Sequence, residues 1–228
     1  MPYFNIVAET SENTVVTEYE PVKKRSDSYQ SEAALEQEFI RLLCEQGYEY
    51  LPIHTEKDLI ANLRKKLEEL NNYQFSDTEW DDFFKNAVAN SNEHIVEKTR
   101  KIQEDNVQVL TRDDGSSKNI TLIDKKNIHN NRLQVINQYV IGTEDGAKHD
   151  NRYDVTVLVN GLPFVHIELK RRGVAIREAF NQINRYQRDS FWAGCGLYEY
   201  IQIFVISNGT NTKYYSNSTR RNAEKEQE

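Results

Sequence analysis

Three residues of this 228-residue chain, Asp154, Glu168 and Lys170, have the types and spacing to do hydrolytic chemistry. They flank a hairpin signal. Asn160-Gly161 separates two apolar-alternating runs within residues 152–170, and that dipeptide favours a tight turn because both of its residues accept positive φ. Val155, Val157 and Val159 share one face of the first strand, and Val165, Ile167 and Leu169 one face of the second. A three-residue loop, Asn160 to Leu162, pairs Val159 with Pro163 and joins those apolar faces. The same register sets Asp154 opposite Glu168, with side chains roughly 5 Å apart. Lys170, two residues on, shares the Glu168 face. A slip of one residue would bury the carboxylates on the apolar face, which favours this register.

Carboxylate oxygens are the hard ligands that suit Mg²⁺, an ion that takes few protein ligands and keeps waters and phosphate oxygens. Asp154 and Glu168 are the candidate ligands, with the carbonyl of Leu169 between them. An ion held there would polarise a phosphodiester and lower the pKa of a bound water. Lys170 could orient that water or offset charge on the pentacovalent phosphorus. Taken alone, the three residues fit a solvated sheet face with an ion pair just as well.

Two nearby features add weight. Gln182 and Tyr186 stand at i and i+4 of a helix expected from about Val174 to Asp189, so they share a face. Ile176, Phe180 and Ile183 form its expected apolar stripe, with the Gln/Tyr pair on the flank. Between Lys170 and Arg188 the chain carries Arg171, Arg172, Arg177, Arg185 and Arg188 against one acidic residue, Glu178. Positive charge beside a metal site is what contact with DNA phosphates requires.

Other elements must position these groups. The Ser31 hydroxyl is a plausible N-cap for a helix that carries Leu35, Phe39, Ile40, Leu42 and Leu43 and ends at Gly47. Residues 57–106 are helix-rich and charged, with a stripe of Leu59, Leu63, Leu67 and Leu70 and a second run of Trp80, Phe83, Phe84 and Val88. Residues 107–110, 120–123 and 133–141 alternate like strands, and further strands are expected near 200–206 and 213–215. The fold class is therefore α/β or α+β. Its segments are an N-terminal pair of strands or arm (1–30), a first core helix and connection (31–56), a helical insertion (57–106), a core sheet with the Gln182/Tyr186 helix (107–217), and a charged tail (218–228).

Composition excludes several classes. A net charge of -7 argues against a protein that coats DNA by bulk charge, though not against a local DNA site. No apolar run approaches the ~20 residues of a membrane span. The opening Met1-Pro2-Tyr3-Phe4 lacks a basic and apolar leader, so the expected location is the cytoplasm. Cys44 and Cys195 form no C-x-x-C pair, and the five histidines show no zinc spacing. His166 shares the face of Glu168 and reads as a polar neighbour of the site.

Asp154, Glu168-x-Lys170 and Gln182-x-x-x-Tyr186 resemble the PD-(D/E)xK nuclease pattern with its Q-x-x-x-Y extension. Tyr153 stands where that pattern has Pro. A longer match adds Ser31-Glu32 to Phe39, Leu122-Ile123-Asp124-Lys125-Lys126-Asn127, the Asn-Gly-Leu-Pro step, and Ile203-Phe204-Val205-Ile206-Ser207-Asn208-Gly209. Together these are similar to the N-terminal region of the R subunit of type I restriction enzymes, over about residues 5 to 220. The resemblance implies a restriction-endonuclease-like core, a central mixed sheet flanked by helices with a helical insertion. It implies a Mg²⁺-dependent endonuclease that cuts double-stranded DNA, in a parent protein with an ATP-driven motor and with methyltransferase and specificity subunits as partners. This sequence has no G-x-x-x-x-G-K-[ST] phosphate loop, so ATP is expected to bind elsewhere in the parent. Related nucleases add an acidic residue from an early helix; Glu36, nearer the centre of the apolar stripe than Glu38, is the candidate. The alternative of another class is a catalytically silent docking domain on the same fold.

Overall fold

The computed structural model describes residues 3–9, 15–20 and 31–217. The charged tail expected at 218–228 lies outside these residues. β1 (Tyr3–Glu9) and β2 (Val15–Glu20) pair antiparallel, within the segment expected to hold an N-terminal pair of strands or arm. α1 (Glu32–Glu45) starts where Ser31 accepts a hydrogen bond from the Ala34 amide at 3.1 Å, which satisfies one of the helix's free N–H groups. It stops before Gly47, whose φ of 92° leads the chain out.

β3 (Glu49–Tyr50) is followed by three helices, α2 (Glu56–Asn71), α3 (Asp77–Phe83) and α4 (Ile95–Gln103). α3 opens with a reciprocal capping box between Ser76 and Glu79. β4 (Val107–Thr111) and β5 (Ser117–Thr121) then form a separate hairpin. β6 (Leu133–Ile141), β7 (Asn151–Val159) and β8 (Leu162–Leu169) lead to α5 (Ile176–Asp189), β9 (Ile203–Ser207) and β10 (Thr212–Ser216).

The central sheet has six strands in the order β10-β9-β8-β7-β6-β3. β8 to β9 and β3 to β6 run parallel and the other neighbours antiparallel, so the fold is α+β around a mixed sheet. This sheet gains β3 from the connecting segment and omits β4–β5, so its membership differs from the expected 107–217 core. One face packs on α1 through Ile40, Val135, Val155, Val157, Ile167 and Leu169. The other face shares one core with α5 and the 57–106 helices, including Leu59, Leu63, Trp80, Tyr153, Ile183 and Phe204. The helical region therefore packs on its own sheet. Among the described residues, no helix is long and apolar enough to cross a membrane.

The hairpin differs from expectation in an instructive way. Its loop holds two residues, Asn160 and Gly161, at φ 51° and 86°, because Val159 pairs with Leu162 and Leu158 with Pro163. Right-handed strand twist matches a two-residue turn with positive φ at both positions better than a wider loop. A bulge between Val157 and Leu158 leaves Phe164 as the extra residue, so Val157 pairs with Val165 and Val155 with Ile167. That restores the register setting Asp154 beside Glu168. A Cβ at Gly161 would stand 2.6 Å from the Leu63 backbone, so this turn is moulded against α2.

Candidate active site

A strand normally keeps residues i and i+2 on one face. β6 and β7 break that rule together. Val155 and Asn137, cross-strand partners, face α1, whereas the next pair, Tyr139 and Tyr153, stacks its rings at 6.1 Å in the opposite core. The reversal occurs at Gln138, a non-glycine residue at φ 53°, and at Asp154 across from it. Asp154 therefore sits where the sheet changes face, reachable from both layers. Its side chain helps line a cavity of about 500 Å³ with Glu32, Glu36, Gln138, Arg152 and Leu169. A larger cavity, about 830 Å³, lies near Glu49, Lys66, His129 and Arg132 and touches none of the three chemistry-bearing residues.

Asp154, Glu168 and Lys170 do come together. The Leu169 amide donates to Asp154 Oδ2 at 2.9 Å, and Lys170 Nζ donates to Glu168 Oε1 at 3.3 Å. Lys170 is anchored by its own amide, which donates to the Ser207 carbonyl at 2.8 Å. Burial pushes Asp154 up to about 7, with the charge of Glu168 adding to the rise and the Leu169 amide and Lys170 opposing it. Burial likewise pushes Glu168 up to about 7, opposed first by Lys170 and then by Asp154. Two carboxyls taken out of water side by side resist ionising together.

Glu36 is buried, unlike the exposed Glu38, which pairs with Arg41. Asn137 donates to Glu36 Oε1 at 2.6 Å and Gln138 to Oε2 at 2.5 Å. Burial raises its pKa, and Asp154 contributes to the rise, which places it within electrostatic reach of that carboxyl. Asn137 and Gln138 were not singled out from the sequence. Their signal was two adjacent amides interrupting the apolar alternation of residues 133–141.

The Gln182/Tyr186 pair lies differently from expectation. The buried residues of α5 include Ala179, Ile183 and Tyr186, while Phe180 is 39% exposed and turns toward Tyr215. Tyr186 thus belongs to the buried stripe and not to its flank. An i+3/i+4 step from Ala179 through Ile183 reaches Tyr186 as readily as the assumed one, and the size of Phe180 misled the assignment. Gln182 donates to the Tyr186 hydroxyl at 2.5 Å, and that hydroxyl donates to the Arg152 carbonyl at 2.9 Å. The pair ties α5 to β7 two residues before Asp154.

His166 is fully buried, with Nε2 3.4 Å from Glu168 Oε2, and burial pushes its pKa down to about 4. Rings of Tyr153, Tyr186 and Phe191 surround it at centroid distances of 5.4, 5.9 and 5.6 Å. Arg171, Arg172, Arg177, Arg185 and Arg188 are exposed. They are not equivalent: Arg188 pairs with Asp189, and Arg185 lies over the Tyr186 ring at 5.3 Å and draws Glu168 toward its charged form.

The donor set is that of a cation that takes few protein ligands. Among the described residues no cluster of three or more His, Cys, Asp or Glu forms a closed metal cage. Asp154 and Glu168 supply two carboxyl groups, both largely withdrawn from water. Two buried carboxyl groups side by side fit a divalent ion that keeps its own waters.

Similarity to known proteins bears on this geometry. A family model for the type I restriction enzyme R protein N terminus matches residues 29–223. The chain is 50% identical over 216 residues to the EcoprrI endonuclease subunit of a type I restriction enzyme of Escherichia coli, covering 94% of this chain and 68% of that one. It is 40% identical over 196 residues to the SauMSSORF170P endonuclease subunit of Staphylococcus aureus, covering 84% of this chain and 20% of that one. A Staphylococcus saprophyticus relative, the SsaAORF53P endonuclease subunit, is also 40% identical and is covered over 20% of its length.

Proposed function

The chain belongs to the type I restriction enzyme R protein N-terminus family, and from that premise we propose that it is a PD-(D/E)xK-type, Mg²⁺-dependent endonuclease domain that hydrolyses phosphodiester bonds of double-stranded DNA. The observation that carries the reading is the meeting of Asp154, Glu168 and Lys170 at the point where the sheet changes face. Asp154, Glu168 and the Leu169 carbonyl would hold the ion. Bound there, Mg²⁺ supplies a polarised phosphate and a water of lowered pKa.

The chain's own groups do the rest. Lys170, half-buried, presents an ammonium whose charge is little screened, and it offsets negative charge building on phosphorus. Glu36, held by two amides, supports the site from the α1 layer. Gln182 and Tyr186 fix α5 against β7 and so hold Asp154 in place. Arg171, Arg172, Arg177, Arg185 and Arg188 offer exposed charge to the DNA backbone, which positions the duplex without reading its sequence.

The chain spans 68% of the E. coli relative and 20% of the S. aureus one. The ATP-driven motor is assigned to the rest of a longer parent, with methyltransferase and specificity subunits as its partners in the cytoplasm. The test uses the assembled enzyme. Asp154→Ala and Lys170→Ala are each expected to lower cleavage by a factor of about 10³ or more while ATP-driven translocation continues. Undiminished cleavage by either variant overturns the assignment and favours a silent docking domain.

A further inference from the structure

Four buried side-chain polar atoms among the described residues have no hydrogen-bond partner, and three of them meet at one place: His166 Nδ1, His166 Nε2 and Glu168 Oε2. Such atoms are costly, and each asks for a reason. Here His166 Nε2 and Glu168 Oε2 lie 3.4 Å apart, within hydrogen-bond distance but without the alignment that a bond needs. The aromatic wall of Tyr153, Tyr186 and Phe191 confines the imidazole to this place.

We infer that His166 is a positioning residue: its neutral ring donates the Nε2 hydrogen to Glu168 Oε2 and aims the other carboxylate oxygen at the cation and Lys170. A neutral imidazole carries one N–H. Placing it on Nε2 leaves only the Nδ1 lone pair without a partner. The other tautomer would strand an N–H without an acceptor and set two lone-pair-bearing atoms face to face. Bringing the Nε2 hydrogen into line with Glu168 Oε2 needs a rotation of the carboxylate, which it can make once it is charged and bound to a cation. This also gives Tyr186 a second task, because its ring packs on His166 and holds the imidazole at Glu168. Ligand-orienting partners of this kind typically change metal affinity by about 10–100-fold.

The inference rests on the proposed cation site, so the test separates the two. Mn²⁺ binding to the metal-free chain is titrated by calorimetry in wild type, Asp154→Ala, His166→Phe and His166→Gln. Phe keeps the aromatic packing without a donor; Gln restores an N–H near the Nε2 position. His166→Phe is expected to bind Mn²⁺ about tenfold or more weakly with its melting temperature maintained, and His166→Gln to recover most of the loss. Should the Phe variant not fold, His166→Leu replaces it in the comparison with Gln. Equal affinities in wild type and the donor-free variant, or a Gln variant no better than that variant, overturn the positioning role alone. A wild type whose Mn²⁺ binding is absent or survives Asp154→Ala overturns the cation site and this role with it.

Discussion

Asp154 and Glu168 hold their protons to about pH 7 because burial removes the water that would stabilise their charges. In the unfolded chain such carboxyls titrate near ~4. Between these limits the folded state binds more protons than the unfolded one, so metal-free stability is full below about pH 4 and falls as pH rises through about 7. The melting temperature of the metal-free chain is therefore expected to drop from pH 5 to pH 8, and Asp154→Asn to raise it at pH 8. A gain of ~1 kcal/mol would read as roughly 2–4 °C in a chain of this size. A divalent cation competes with the same protons, so its affinity should increase with pH across about 6 to 8. A pH-independent affinity, or a destabilised Asn variant at pH 8, would contradict the buried-pair account. The residue types of this pair were legible in the sequence; their shared burial was not, since it depends on both layers covering them.

Each helix and strand largely follows local rules, and two sites test this. Replacing the Ser31 cap by Ala removes an acceptor for the Ala34 amide and is expected to cost ~1 kcal/mol in urea unfolding. Gly161→Ala combines a φ of 86° with a Cβ 2.6 Å from the Leu63 backbone, and should cost more, about 2–4 kcal/mol. If the alanine at 161 proved neutral, the moulding of this turn against α2 would be wrong. The Asn-Gly pair announced the turn, yet the loop length was misjudged by one residue. The bulge at Phe164 restored the register. Strand existence was readable from alternation. The reversal at Gln138 and Asp154 was not, because alternation assumes that a strand keeps its faces.

For the whole molecule, the helical region and the sheet share a core. Lys98, buried on α4, donates to the Gly196 carbonyl and Glu199 Oε2, both at 2.9 Å, and ties that helix to the segment before β9. Unfolding should therefore be one cooperative event. The two tryptophans make this measurable: Trp80 reports on α3 and Trp192 on the segment after α5. Single-tryptophan variants are expected to give coincident denaturation curves. Two separated transitions would show the 57–106 region to be an independent unit.

The sequence by itself determined the helices, the hairpin turn and an α/β or α+β class, and it put forward Asp154, Glu168 and Lys170 as candidates. Those depend on periodicity, caps and short spacings, which act within one or two elements. Tertiary structure decided which helix face was buried, and so brought Tyr186 inward. It brought Asn137 and Gln138 to Glu36 across about a hundred residues of chain. It also left His166 and Glu168 side by side, buried and without hydrogen-bond partners for Nε2 and Oε2. Burial and the state of a buried polar group are set by every layer packed around it, and no local stretch of residues contains that information.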